Sequence, residues 1–76
     1  MKELIEFVAK SLVDEPDEVL ATSFDRGDQT IIELEVAPND LGKVIGRQGR
    51  TARALRTLLA AAGQKNRRRT QLDILD

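Results

Sequence analysis

The stretch that decides how this chain folds is Val44–Arg50, which reads VIGRQGR. Gly46 and Gly49 lack Cβ atoms, so a loop built on them can take positive φ angles and let another chain approach its peptide groups closely. Arg47 and Arg50 place positive charge at that contact. The residues after the loop favour a helix, whose N-terminus also attracts anions. A Gly-x-x-Gly loop between two helical stretches therefore indicates contact with the phosphates of a nucleic acid.

The charges of the chain are divided between its two halves, although the formal net charge is only -1. Residues 1–40 contain three basic and eleven acidic side chains, whereas residues 41–76 contain nine basic and two acidic ones. A one-sided distribution of this kind creates a field that steers a phosphate backbone to one face. The basic half contains the glycine loop, which supports the same interpretation. The alternative is that the segregation of charge is accidental.

The composition excludes several classes of protein. With 76 residues the chain forms a single domain, residues 1–76, and has little room for an enclosed substrate cavity. It contains no Cys and no His, so it lacks thiolate or imidazole metal ligands and the usual general base near neutral pH. The glycine spacing matches neither a P-loop nor a dinucleotide fingerprint. We therefore expect no enzyme, no metal site and no cofactor.

No long apolar run interrupts the charged N-terminal residues, so we expect neither a signal peptide nor a membrane span, and hence a cytoplasmic protein. Apolar residues recur at helical spacing from Leu4 to Leu12, which predicts an amphipathic helix that Pro16 ends. Two strands are predicted, Val19–Asp25 and Thr30–Ala37, joined in a hairpin at Gly27. In the second strand the alternation predicts one buried face, with Ile32, Leu34 and Val36, and one exposed face, with Ile31, Glu33 and Glu35.

The basic half continues with two helices and a strand. Asn39 or Asp40 is a candidate N-cap for a short helix, Leu41–Ile45. After the glycine loop a second helix is predicted over Arg50–Ala62, with Gly63 as its C-cap. We expect its inward face to hold Ala52, Leu55, Leu58, Leu59 and Ala62, and its outward face Arg50, Arg53 and Arg56. A basic loop, Gln64–Arg69, and a last strand, Gln71–Leu75, follow.

This α-β-β-α-α-β order, with the glycine loop between the central helices, resembles the type II KH domain, an RNA-binding module. The run Gly42–Arg56 is similar to that of the KhpA family of small bacterial single-KH RNA-binding proteins, and the resemblance covers the whole chain. A Gly-x-x-Gly pattern alone has little specificity, but it is specific in this helix-loop-helix context. The resemblance implies an α+β fold in which a three-stranded mixed sheet carries three helices on one face.

The resemblance also implies a groove beside the loop that clamps about four nucleotides of single-stranded RNA. The residues expected to bind RNA are Lys43, Ile45, Gly46, Arg47, Gln48, Gly49, Arg50 and Arg53, with Arg67 from the variable loop before the last strand. Two departures from the usual pattern of KH domains predict a modest affinity for RNA. Ala52 stands where many KH domains carry a branched apolar residue, and Phe7 and Phe24, the two aromatic residues, lie far from the loop in sequence.

The resemblance implies one of two partners for this chain: a second copy, in a homodimer, or a larger RNA-binding protein of the KH/R-three-H type. It also implies a role, such as that of an RNA chaperone, in RNA-based regulation of bacterial growth, cell shape and cell wall organisation. Two dimer surfaces stay open: apolar side chains near the loop end of the helices, or the Leu59–Ala62 stretch. The alternative function is that of a protein-protein adaptor or dimerisation module with a KH-like fold. The sequence does not distinguish between RNA and single-stranded DNA as the ligand.

Overall fold

The computed structural model describes all residues, 1–76. Three helices and three strands follow one another in the predicted α-β-β-α-α-β order: α1 Lys2–Leu12, β1 Leu20–Arg26, β2 Gln29–Glu35, α2 Leu41–Ile45, α3 Arg50–Lys65 and β3 Arg69–Ile74. Single 3-10 turns at Pro16–Glu18, Pro38–Asp40 and Arg47–Gly49 connect them. The predicted boundaries hold to within a few residues, and the α+β class is confirmed.

The sheet is mixed, with the strand order β1-β2-β3. β1 and β2 are antiparallel and meet at Arg26 and Gln29, so the predicted hairpin closes through two residues, Gly27 and Asp28. β3 runs parallel to β2, with Leu72 opposite Ile32. A parallel neighbour requires a crossover connection, and α2, the glycine loop and α3 form it. This topology leaves β3 as an open edge beside α3.

The hydrophobic core lies between one face of the sheet and the three helices. Burial of apolar side chains from both layers is the main stabilising contribution to such a fold. The buried cluster draws on every helix and strand, through Ile5, Ala9, Val19, Ala21, Ile32, Leu34, Val36, Val44, Leu55, Leu59 and Leu72. All three helices therefore pack on a single face of the sheet, as predicted.

Two burial predictions were wrong. Ile31 was expected on an exposed face, yet only 6% of it is accessible. β2 is the central strand, so Ile31 has Phe24 of β1 on one side and Gln71 of β3 on the other, and these neighbours cover it. Leu58 was expected inside, but it is 40% exposed because the buried stripe of α3 is narrower than predicted and consists of Ala52, Leu55, Leu59 and Gly63.

Gly63 does not cap α3, because the helix continues to Lys65. Gly63 is buried, and a Cβ atom there would collide with the Thr70 side chain and lie 2.8 Å from the Arg68 carbonyl oxygen. The residue is a glycine because β3 passes too close for any side chain. The segment that leads from α3 into β3 is also hydrogen-bonded to Gly63, because the Arg68 N–H donates to the Gly63 carbonyl at 2.7 Å.

Candidate nucleic-acid interface

The glycine loop is a tight connection in which most residues take positive φ angles. α2 ends at Ile45, and Gly46, Gln48 and Gly49 follow with φ of 77°, 57° and 73°. Two hydrogen bonds close the loop: the Gly46 N–H donates to the Gly42 carbonyl at 2.8 Å, and the Gly49 N–H donates to the Gly46 carbonyl at 3.1 Å. The sequence therefore builds a rigid corner rather than a flexible tether between α2 and α3.

The two glycines are required for different reasons. A Cβ on Gly46 would collide with the Thr51 side chain and lie 2.8 Å from the Thr51 backbone nitrogen. Around Gly49 there is open space, so only its left-handed backbone disfavours a side chain. The first glycine thus lets α3 fold back against the loop. The second leaves a bare stretch of backbone that faces solvent at the start of α3.

Three arginines surround this bare backbone without acidic partners: Arg47, Arg50 and Arg53 are exposed, and none forms a salt bridge. Arg50 donates from Nη2 to the Gln48 side-chain oxygen at 3.2 Å, which orders the loop tip. Ile45 keeps 36% of its surface accessible at the end of α2. The structure therefore brings most of the predicted site residues together at one end of α3.

Lys43 differs from these arginines, because its charge is already compensated. Its Nζ lies 2.9 Å from Asp14 Oδ2 and 3.3 Å from Asp40 Oδ1. The hydrogen bonds to Asp14 and then to Asp40 raise the pKa of the ammonium above its ordinary value. Of the residues predicted to bind phosphate, Lys43 is the one that must give up an ion pair to do so.

Asp40 occupies the N-cap position of α2, as predicted, but its side chain makes no capping hydrogen bond to the helix. Its side chain is 1% exposed and accepts hydrogen bonds from the backbone N–H groups of Asp14, at 3.2 Å, and Glu15, at 3.0 Å. Burial alone would favour the neutral acid, but these hydrogen bonds and Lys43 outweigh it and hold the pKa of Asp40 below its ordinary value. Asp40 therefore fastens the segment after α1 to the start of α2, immediately before the glycine loop.

The predicted basic loop before β3 divides into two parts. Arg67 is exposed at φ 58° and forms no hydrogen bond or salt bridge through its side chain. Arg68 instead holds the hairpin turn: it donates to Thr30 Oγ1 at 2.7 Å and to the carbonyl oxygens of Gln29 and Gly27 at 2.9 and 3.1 Å. Arg69 pairs with Asp28 at 3.3 Å. The whole of α3, about 24 Å long, separates Arg67 from the glycine loop, so the structure does not bring it together with the other site residues.

Sequence reasoning missed Arg56, which was assigned only to the outward face of α3. Its Nε and Nη2 both donate to the Leu72 carbonyl oxygen at 3.3 Å, so the guanidinium bridges α3 and β3. The available signal was spacing: Gly49, Arg53 and Arg56 follow one another at intervals of four and three residues, which places them on one side of a helix. That side of α3 faces the open edge of the sheet.

No helix of the structure has the length and apolar character that crossing a bilayer requires. No group of three or more His, Cys, Asp or Glu side chains is arranged to hold a metal ion.

Comparison with known proteins agrees with this geometry. Residues 2–74 match the family model described as KhpA/KhpB, KH domain. The chain is 54% identical over 76 residues to the RNA-binding protein KhpA of Halalkalibacterium halodurans, covering 100% of both chains. It is 57% identical over 74 residues to that of Borreliella burgdorferi, covering 97% of this chain and 90% of the relative. It is 50% identical over 76 residues to that of Aquifex aeolicus, covering 100% of this chain and 96% of the relative.

No solved structure matches the chain. Each of these relatives carries the name of an RNA-binding protein and not of an enzyme, which agrees with the expectation from composition.

Proposed function

Because the chain belongs to the KhpA/KhpB KH-domain family, we propose that it binds single-stranded RNA through the Gly46–Gly49 loop. One observation carries the proposal: the loop presents backbone at positive φ, open space at Gly49, and three arginines without acidic partners. A sugar-phosphate chain is the ligand that complements close backbone approach combined with positive charge.

The phosphates lie against the loop and the first turn of α3. Arg47, Arg50 and Arg53 supply the charge, and the dipole of the long helix α3 adds to it. The ammonium group of Lys43 contacts a phosphate only when it leaves the carboxylate of Asp14. Ile45 offers an apolar contact to a base at the end of α2. No aromatic ring lies at the loop, because Phe7 is on α1 and Phe24 is on β1. Binding is therefore modest in affinity and depends strongly on phosphate contacts.

The protein acts as a homodimer, or with a larger RNA-binding partner of the KH/R-three-H type, in RNA-based regulation of bacterial growth and cell shape in the cytoplasm. Joining two short binding grooves raises the effective concentration of the second and compensates for weak binding by each. The surface between α1 and α3 supports association, because Leu12 and Leu58 are exposed there beside Ala54 in a shallow crevice. This surface lies at the loop end of the helices, whereas Leu59 of the other candidate stretch is fully buried.

The same exposed apolar side chains favour the second candidate function, a protein-protein adaptor that does not use the loop for RNA. The two functions differ in how they tolerate charge reversal at the loop tip. An adaptor that docks through α1 and α3 tolerates acidic residues at Arg47 and Gln48, which are both solvent-exposed. An RNA clamp does not tolerate them, because they repel the phosphates.

Fluorescence anisotropy with a labelled, mixed-sequence single-stranded RNA tests the proposal. We expect wild-type protein to bind, and the double variant Arg47→Asp/Gln48→Asp to lose binding while its circular dichroism spectrum is unchanged. Glu33→Gln/Glu35→Gln is the matched control, because it alters two charged surface positions on the sheet. Equal binding by wild type and the loop variant, or no binding by either, would contradict the RNA clamp and favour the adaptor. A single-stranded DNA of the same sequence shows whether the 2'-hydroxyls contribute.

A further inference from the structure

The two carboxylates that contact Lys43 differ in how firmly they are fixed. Asp40 is 1% exposed and accepts two backbone hydrogen bonds, so the fold sets the position of its side chain. The side chain of Asp14 is 78% exposed, and Lys43 is its one hydrogen-bond and salt-bridge partner. Asp14 is therefore the carboxylate that can leave the ammonium group, whereas Asp40 stays beside it.

The backbone at Asp14 is anchored independently of its side chain. The Asp14 N–H donates to Asp40 Oδ1 at 3.2 Å, and the Glu15 N–H donates to Asp40 Oδ2 at 3.0 Å. A change in the Asp14 side chain leaves both of these hydrogen bonds in place. Because an exposed ion pair contributes little to stability, the fold does not require the contact between Asp14 and Lys43.

Lys43 has the location of a phosphate ligand, since it lies on α2 one helical turn before Gly46 and the glycine loop. With Asp14 in place, two carboxylates surround one ammonium group, and the net negative charge of this cluster repels a phosphate. Without the Asp14 carboxylate the cluster is neutral. Asp40 then uses one of the three N–H donors of the ammonium group, and two are free to bind a phosphate oxygen.

We propose that Asp14 inhibits RNA binding from within the chain: its carboxylate occupies the position on Lys43 that a phosphate oxygen would take, and so withholds this cation from the RNA. The inference rests on the proposed function. The distance of 2.9 Å between Lys43 Nζ and Asp14 Oδ2 is that of a charge-assisted hydrogen bond, which a phosphate oxygen forms equally well. Asp14 thus competes with RNA for the same donor.

The competition favours Asp14 because it belongs to the same chain. Its effective concentration at Lys43 is high and does not depend on how much RNA is present. The arginines beside the loop have no such competitor, since Arg47, Arg50 and Arg53 form no salt bridge. Four cations therefore lie at or next to the loop, but only these three are available to phosphates. Asp14 keeps the affinity for RNA below what the basic side chains could provide.

Fluorescence anisotropy with a labelled, mixed-sequence single-stranded RNA tests the inference. Asp14→Asn removes the competing charge and nearly preserves the size of the side chain. We expect it to bind RNA about fourfold more tightly than the wild type, the scale of one exposed ion pair. Its log affinity should fall with log salt at a slope steeper by about 0.7, because one more phosphate is neutralised. Thermal melts show whether each variant is folded.

Asp17→Asn is the matched control, because it changes the net charge equally in the same segment, at an exposed residue that forms no salt bridge. At 0.1 M salt, where exposed charges are screened over about 10 Å, its affinity should stay within about 1.5-fold of the wild type. Its salt slope should be unchanged. Equal affinities of Asp14→Asn and Asp17→Asn would overturn the inference.

Lys43→Gln completes the test, because the inference assigns the whole effect of Asp14 to this one residue. In the wild-type background it should change the affinity by less than about 1.5-fold at 0.1 M salt. In the Asp14→Asn background it should remove the gain of about fourfold and restore the wild-type salt slope. A gain that persists without Lys43 shows that Asp14 acts only as a general negative charge, which overturns the inference. Failure of both the wild type and Asp14→Asn to bind RNA overturns the proposed function itself, and this result is distinct from binding that Asp14→Asn leaves unchanged.

Discussion

The ammonium group of Lys43 lies 2.9 Å from the carboxylate of Asp14, a residue 29 positions earlier in the chain. This pair joins the acidic half of the sequence to the basic half, on the short helix that leads into the glycine loop. Asp40 adds a second carboxylate at 3.3 Å. The two halves are thus less segregated in space than in sequence. The uncompensated charge is concentrated further along the chain, at Arg47, Arg50 and Arg53.

Asp40 predicts a specific pH dependence of stability. Its pKa is lower in the folded protein than in the unfolded chain, so its contribution is fully present above the ordinary carboxyl value, near 3.9, and is lost as the pH falls through the folded pKa. In Asp40→Asn the amide NH₂ faces a backbone N–H that now lacks an acceptor. We expect thermal melts to show a Tm several degrees lower at neutral pH and a shallower loss of stability below pH 4. If the Tm of Asp40→Asn fell below pH 4 as steeply as that of the wild type, Asp40 would not be the group whose protonation destabilises the fold.

Alanine substitutions at the two loop glycines should have unequal effects. Gly49 is in the left-handed helical region, which costs a non-glycine residue about 1–2 kcal/mol. Gly46, at φ 77° and ψ 171°, is in a region that essentially only glycine adopts, at a cost of the order of 1–3 kcal/mol. Gly46→Ala also drives a methyl group into Thr51, whereas Gly49→Ala meets open space. Denaturant unfolding should therefore show a larger loss of stability for Gly46→Ala. Gly42→Ala, at a helical position with open space around it, is the control and should lose no stability, because alanine favours a helix more than glycine does. Equal losses at Gly46 and Gly49 would contradict the close approach of Thr51.

Phosphate contacts at the loop predict a definite response of RNA affinity to salt. Three arginines without acidic partners neutralise about three phosphates, so log affinity should fall with log salt at a slope of roughly -2, or about -0.7 per phosphate. Arg53→Gln should make the slope shallower by about 0.7. Anisotropy titrations at several salt concentrations measure both quantities. A flat salt response in the wild type would rule out phosphate contact as the basis of binding.

Arg68 and Arg67 are adjacent in sequence but should differ in their effect on folding. Arg68→Gln removes hydrogen bonds to the hairpin turn, including one of 2.7 Å to Thr30, which is buried. Hydrogen bonds from a charged group contribute about 1.5–3 kcal/mol, and we expect a loss of that order in denaturant unfolding. Arg67→Gln is the matched control, since its side chain makes no contact of this kind, and it should change the free energy of unfolding by less than about 0.5 kcal/mol. Equal losses would show that the hairpin does not depend on Arg68.

Local patterns predicted most of this fold but few of its long-range contacts. The period-2 alternation around Ile32 and Leu34 identified β2, and the two loop glycines marked the junction of α2 and α3. Other roles depend on which segments meet in space. Arg68 reaches residues 38 to 41 positions earlier, Asp40 bonds to Asp14 and Glu15, and Gly63 is small because β3 crosses it. Periodicity and capping rules carry no information about such partners, so these residues were predicted as loop, cap and C-cap.

Substitutions on the outer face of the sheet should leave the affinity for RNA almost unchanged. Glu33 lies between Thr22 and Asp73 on β2, and Glu35 lies opposite Leu20, so both belong to the face that does not contact the helices. Glu33→Gln/Glu35→Gln raises the net charge by two without altering the loop. The sheet lies between these side chains and the helices, and 0.1 M salt, with a screening length of about 10 Å, weakens their effect at the loop. We therefore expect an RNA affinity within about twofold of the wild type at that salt concentration, measured by anisotropy. A large change in affinity with an unaltered salt slope would place the binding surface on the sheet and not at the glycine loop.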